Sequence, residues 1–275
     1  LVGANGVGKS TILRILSQVY EPDDGEFAIG GTYLTMTQDV GMSRPDDTLR
    51  EMLIEVAPRE LRDAGRALIE AERQMMSGED DGMKFAEALA TWGDIGGYEL
   101  ETQWAAAAQR SVKTPVTDFA TRLVSELSGG ERKRLVLDLL LNSGADVLLL
   151  DEPDNYLDIP TRHWLEEQLN ACKSTILMVS HDRDLLNDVC DHIVHIDQEK
   201  LVSYTGNYDF FEKTRAERLA NDAAQQAKVV AQRKHMQAFV DRFKAKASKA
   251  RQAQSRIKMI EKLGPIATVP IEEKI

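Results

Sequence analysis

Residues 3–10 read Gly3-Ala4-Asn5-Gly6-Val7-Gly8-Lys9-Ser10, and residues 147–152 read Val147-Leu148-Leu149-Leu150-Asp151-Glu152. In the first stretch the glycines admit backbone N–H groups to phosphate oxygens with no Cβ in the way. Lys9 can neutralise β and γ phosphates, and Ser10 can offer a hydroxyl to magnesium. Alone, this pattern also turns up by chance. The second stretch supplies what it lacks, a short apolar strand of the kind buried in a parallel sheet, ending in carboxylates. Asp151 is placed to hold magnesium through water, and Glu152 to polarise an attacking water as general base. The plainer alternative is that both merely cap the next turn. Gly3, Asn5, Gly6, Gly8, Lys9, Ser10 and Thr11 are therefore the candidate ligands of a nucleotide's phosphates, with Ser10 and Asp151 candidate Mg2+ ligands.

Working outward, Leu1 and Val2 read as the end of a strand feeding the loop, and Ile12, Leu13, Ile15 and Leu16 have helical apolar spacing behind it. Residues 26–38 contain two strand-like runs separated by Gly30-Gly31. Residues 39–126 are rich in Ala, Glu and Leu, with breaks at 77–82 and at Gly96-Gly97, and predict an inserted helical subdomain. After it, Ser128, Gly129 and Gly130 open a helix whose hydroxyl, backbone donors and dipole make a second anion-facing surface. Further strands are expected at 174–180, 193–196 and 201–204, the alternation of an α/β domain.

The net charge of −11 is unevenly distributed. Residues 1–211 hold 19 Lys and Arg against 38 Asp and Glu, whereas residues 212–262 hold 14 against 5. Nucleic acid is thus a plausible partner for the second region only; a solvated charged helix is the other reading. Residues 208–246 lack Pro and Gly and predict one long helix. Met236, Phe239, Val240 and Phe243 form one apolar stripe, and Ala250, Ala253, Ile257 and Ile260 another. Together they predict a projecting antiparallel helical hairpin. No apolar run approaches the roughly 20 residues of a membrane-spanning helix. Cys172 and Cys190 form neither a metal cluster nor a disulfide framework, which suits a reducing compartment, and no signal peptide is seen, consistent with the cytoplasm.

Gly3 to Ser10 together with Leu127-Ser128-Gly129-Gly130-Glu131 resembles the ATP-binding cassette (ABC) superfamily, which implies a P-loop NTPase core. In that resemblance Gln38 matches the glutamine that senses magnesium and water, which makes it a third candidate Mg2+ ligand, and His181 the histidine that contacts the γ-phosphate. A Gln after a strand, or a lone His, would otherwise be structural. The resemblance also implies that two domains pack head to tail, so that Ser128, Gly129 and Gly130 close over a phosphate bound elsewhere and Asp158 lies on the loop crossing that interface.

Three stretches resemble the F branch of the superfamily (ABC-F): Glu152-Pro153-Asp154-Asn155-Tyr156-Leu157-Asp158, Gly206-Asn207-Tyr208-Asp209-Phe210-Phe211, and the basic segment 242–258. The commonest string of that branch reads Glu-Pro-Thr-Asn-His-Leu-Asp, so Asp154 and Tyr156 depart from it. The branch implies a cytoplasmic ATPase with two ABC domains joined by a basic hairpin and no membrane domain. Many members bind the ribosome near the P-site tRNA as translation factors or antibiotic-protection proteins. On that reading residues 1–206 are the ABC domain, 207–263 the linker and 264–275 a tail. Lys244, Lys246, Lys249, Arg251, Arg256 and Lys258 are the candidate RNA contacts. The resemblance further implies strands before Leu1 and a second ABC domain after Ile275, so the chain by itself should bind ATP weakly and need that domain or a second copy. Two other readings stay open: the ATPase subunit of a membrane transporter, and a DNA-repair or remodelling ATPase.

Overall fold

The computed structural model describes residues 1–38, 46–78, 82–243, 254–255 and 257–259. Two compact units divide the chain, Leu1–Tyr204 and Thr205–Ile275.

The first unit is built on three parallel strands, β1 (Tyr33–Met36), β2 (Val147–Asp151) and β3 (Thr175–Val179), in the order β1-β2-β3. Their register sets Met36 beside Leu150 and Asp151 beside Val179, so all three strands end at one edge. A second, two-stranded sheet begins with β4 (His192–Asp197), and Val2 forms a parallel bridge to its His195. The Val2 amide donates to Val194 O at 2.8 Å and the Ile196 amide to Val2 O at 3.0 Å. β5 (Lys200–Thr205) pairs with β4 through a two-residue turn. There Gln198 and Glu199 are both left-handed, the geometry that matches strand twist in a tight hairpin. Leu1, Leu13, Leu149, Val179 and Ile196 form the core beneath the phosphate loop.

Of the two strand-like runs expected in residues 26–38, only β1 forms. Residues 26–29 have no ladder partner among the described residues, and a strand without one leaves its backbone groups unpaired. Residues 39–45 of the expected insertion lie outside the described residues. So do residues 79–81; the described remainder carries α2 (Leu49–Ile54), α3 (Arg59–Ser77), α4 (Met83–Asp94) and α5 (Gly97–Val112), then, after a loop, a short 3-10 turn at Val124–Glu126. A Thr48–Glu51 capping box starts α2, and left-handed Gly78 ends α3. Gly97 is where α4 and α5 meet most closely, since a Cβ there would sit 2.1 Å from the Trp92 indole. Trp92, fully buried, packs 6.4 Å from Trp104 and donates its N–H to Glu101 Oε1 at 3.2 Å.

Behind the phosphate loop runs α1 (Lys9–Leu16); α6 (Gly129–Leu141) leads into β2, α7 (Ile159–Ala171) connects β2 to β3, and α8 (Arg183–Val189) follows β3. Aspartates cap two of these helices, Asp158 on α7 and Asp182 on α8.

The second unit is chiefly α9, Tyr208–Phe243, 36 residues long. At its start Tyr208 and Phe211 are buried, their rings 5.5 Å apart. Toward its end Met236 and Val240 are buried and Phe239 half-buried, one turn apart on a stripe. The second helix of the expected hairpin is described only at 254–255 and 257–259, which are helical. No described helix is long and apolar enough to cross a membrane.

Candidate functional site

Residues as far apart in sequence as Ser10 and Asp151, 141 positions, meet at the shared edge of the strands. Gly6 and Gly8 take positive φ, 79° and 106°, bending the loop so that α1 starts directly at Lys9. No side chain caps α1, so its first amides keep no intrahelical partner. Lys9, buried, folds back and donates to Gly3 O at 2.9 Å and Ala4 O at 3.1 Å. Burial pushes the Lys9 pKa down, and the nearby Glu152 and Asp151 carboxylates oppose that shift. Asn5, Gly6 and Thr11 are exposed.

Ser10 Oγ donates to Asp151 Oδ1 at 3.3 Å. A hydroxyl beside a buried carboxylate is a hard-oxygen donor pair suited to magnesium, and the open amides above Lys9 suit phosphate, so the residues present fit both groups.

One residue beyond Asp151, Glu152 adopts a left-handed backbone, φ 51°. Its amide is tied to Val179 O at 2.8 Å, which holds it at the end of the sheet. Three side chains converge on its carboxylate. Gln38 Nε2 donates to Oε2 at 2.8 Å, Asn155 Nδ2 donates to the same oxygen, and His181 Nε2 lies 3.7 Å from Oε1. Gln38 and Glu152 are thus joined across 114 positions of sequence.

The other expected site residues gather around α6 and α7. Ser128 caps α6: its hydroxyl accepts from the Glu131 amide at 3.3 Å and donates to Glu131 Oε2 at 2.8 Å, while its own amide donates to that carboxylate at 2.9 Å. These bonds lower the Glu131 pKa. Gly129 has open space around it, and a Cβ on Gly130 would lie 3.4 Å from Tyr156 O. Asp158 accepts from the Thr161 amide at 3.0 Å, and hydrogen bonding from the Thr161 side chain, then from that amide, holds its pKa down. Between them Tyr156, with φ 63°, is 79% exposed, so an aromatic ring stands in solvent beside the α6 terminus.

Two residues were not singled out from sequence. Asn155 is found only through its bond to Glu152. Lys133 is a buried cation on the inner face of α6, and it donates to Glu152 O and, at 3.0 Å, to Asn155 O. Burial lowers its pKa, opposed first by Asp154, then by Glu152 and Asp151. No signal in the sequence marks Lys133, which stands in the charged run Glu131-Arg132-Lys133-Arg134. Of the candidate RNA contacts, Lys258 is exposed; Lys244, Lys246, Lys249, Arg251 and Arg256 lie outside the described residues.

A family model described as ABC transporter matches residues 1–155, and a second with the same description matches residues 194–275. An antibiotic resistance protein of Mycobacteroides abscessus is 38% identical over 288 residues, covering 100% of this chain and 52% of its own. The probable ATP-binding protein YheS of Escherichia coli is 36% identical over 279 residues, covering 99% and 41%. Human ATP-binding cassette sub-family F member 3 is 35% identical over 281 residues, covering 100% and 38%. The chain spans about half, or less, of the length of these relatives. Matched by the family model over residues 1–155 and along its whole length by relatives 35–38% identical to it, the chain belongs to the ATP-binding cassette family, in its F-type branch.

Proposed function

We propose that residues 1–206 form an ATP-binding and ATP-hydrolysing domain, with 39–126 its helical insertion, 207–263 a basic linker and 264–275 a tail. The observation that carries this reading is the convergence of Lys9, Ser10, Asp151, Glu152, Gln38 and His181 on one edge of the sheet. When bound, ATP and magnesium supply the phosphoanhydride and the positive charge that offsets its oxygens. Lys9 exchanges the carbonyls of Gly3 and Ala4 for phosphate oxygens, and Ser10 and Asp151 present oxygens to the metal. Glu152 accepts the proton of the attacking water, held in orientation by Gln38 and Asn155, with His181 alongside. Ser128, Gly129, Gly130 and Asp158 face a phosphate held by a second ABC domain or a second copy of this one.

For the full-length protein we infer a cytoplasmic role on the ribosome, as a translation factor or an antibiotic-protection protein. Support comes from the excess of 14 Lys and Arg over 5 Asp and Glu in residues 212–262, a density suited to RNA phosphates, and from the antibiotic resistance protein among the relatives. Lys258 and the basic residues from Lys244 to Arg256 are the proposed contacts. Glu152→Gln keeps the phosphate cradle and removes the base, so ATP should hold the full-length variant closed. Cosedimentation of that variant with ribosomes only in ATP supports the reading, and ATP-independent or absent sedimentation overturns it. A copurifying transmembrane subunit would favour a transporter instead.

A further inference from the structure

Lys133 is a buried cation that the hydrolytic scheme leaves unused. Its side chain is 4% exposed and points from the second turn of α6 into the loop that follows β2. An ammonium has three donors, and here two are spent on backbone carbonyls, those of Glu152 and Asn155. Glu152 O also accepts from the Asn155 amide at 3.3 Å, so the ammonium closes a tight turn from the inside. That turn contains two left-handed non-glycine residues, Glu152 and Tyr156, whose backbone persists only where surrounding contacts hold it.

Asp154, a departure from the commonest string of the branch, is the second part of the observation. It is 9% exposed, and its Oδ1 has no hydrogen-bond partner among the described residues. A buried carboxylate is costly unless a cation is close. Asp154 leads the carboxylates that counter the effect of burial on Lys133, ahead of Glu152 and Asp151. Lys133 thus lies in the field of three carboxylates, to which the unusual Asp154 contributes most.

We propose that Lys133 is a positioning residue for hydrolysis: its ammonium ties α6 to the carbonyls of Glu152 and Asn155 and so fixes the direction of the Glu152 carboxylate. The Ser128 cap and Lys133 lie five residues apart on α6 and its N-cap. Whatever docks on Ser128 to Gly130 is thereby connected, through slightly more than one helical turn, to the catalytic carboxylate of the same domain. The kinetic part of this inference rests on the ATPase reading above; the tie itself does not.

Lys133→Met keeps the length of the side chain and removes its donors. In the full-length protein, amide exchange at Glu152, Asn155 and Leu157, each hydrogen-bonded in the intact loop, should quicken about tenfold. ATP turnover should fall about tenfold with KM changed less than twofold, because Lys9 and the phosphate loop are untouched. Lys133→Arg, which keeps donors at the carbonyls, should recover both. Asp154→Asn in the Lys133→Met background relieves the unpaired carboxylate, so melting temperature should recover while turnover stays low. Unchanged exchange in Lys133→Met overturns the proposal. So does a turnover loss that Asp154→Asn repairs together with stability, since Lys133 would then serve only as a counter-charge. A wild-type protein that turns over no ATP would sink the ATPase reading, and the exchange measurements would still decide whether the tie exists.

Discussion

Two helices of this domain begin at glycine-containing motifs, α1 after Gly8 and α6 after Ser128, and their N-termini are prepared in opposite ways. The first turn of α1 has no side-chain cap, and its nearest cation is folded aside on carbonyls. The first turn of α6 is closed on itself by a reciprocal Ser128–Glu131 box. An N-terminus with open amides and a waiting ammonium is a phosphate site whose cost in stability has been accepted. One already satisfied by its own side chains is stable without a ligand, and binds only if the box yields or the remaining glycine amides suffice. The difference separates a site that holds nucleotide within its own domain from a surface that completes a site elsewhere.

The strongest way to break this comparison is Lys9→Ala, which removes the only described cation at the open terminus. ATP affinity, measured by titration of a fluorescent analogue, should fall about 100-fold, the scale of a lost charge-assisted contact of about 2.7 kcal/mol. The melting temperature should barely move, because Lys9 is desolvated in the free protein. An affinity loss under threefold would mean that α1 amides alone do the binding.

Gly8→Ala comes next. With φ 106° and nothing within 4 Å of the added Cβ, the cost is backbone strain alone, about 1–2 kcal/mol on thermal or chemical unfolding, with weaker nucleotide binding alongside. At the closed terminus, Ser128→Ala should cost about 1 kcal/mol of stability in the absence of any nucleotide, read as a lowered urea midpoint. A null result would show that the box contributes nothing and that α6 is as open as α1.

The smallest effect is a pH dependence. Glu131 has its pKa lowered in the fold by its bonds to Ser128, so its stabilising contribution is present above its unfolded value near 4.5. It is lost as pH falls through the lower folded value. The acid limb of stability for Glu131→Gln should therefore be shallower than for the wild type below pH 4.5, and parallel limbs would contradict the assignment.

How much of the site was legible depended on what each residue contacts. Asp151 and Glu152 could be read because a short apolar run ending in carboxylates describes a buried parallel strand, and parallel strands deliver their ends to one edge. The breaks at 77–82 and Gly96-Gly97 could be read because they fall between α3, α4 and α5. Residues 26–29 misled because β-like composition forms a strand only where a neighbour completes the ladder. Lys133 and Asn155 went unread because their partners include backbone carbonyls or a carboxylate brought near by a turn, which leave no spacing pattern to find.

Sequence alone determined the phosphate loop, the acidic and basic halves, the strand-ending carboxylates and the family, because each is a local pattern of residue types with its own chemistry. Only the tertiary structure decided that α1 begins open and α6 begins capped. It also decided that Glu152 is turned into a left-handed backbone with Gln38, Asn155 and His181 around it, and that Lys133 reaches the carbonyls of Glu152 and Asn155. Such relations depend on how burial and close packing distribute donors and charges that are distant in sequence.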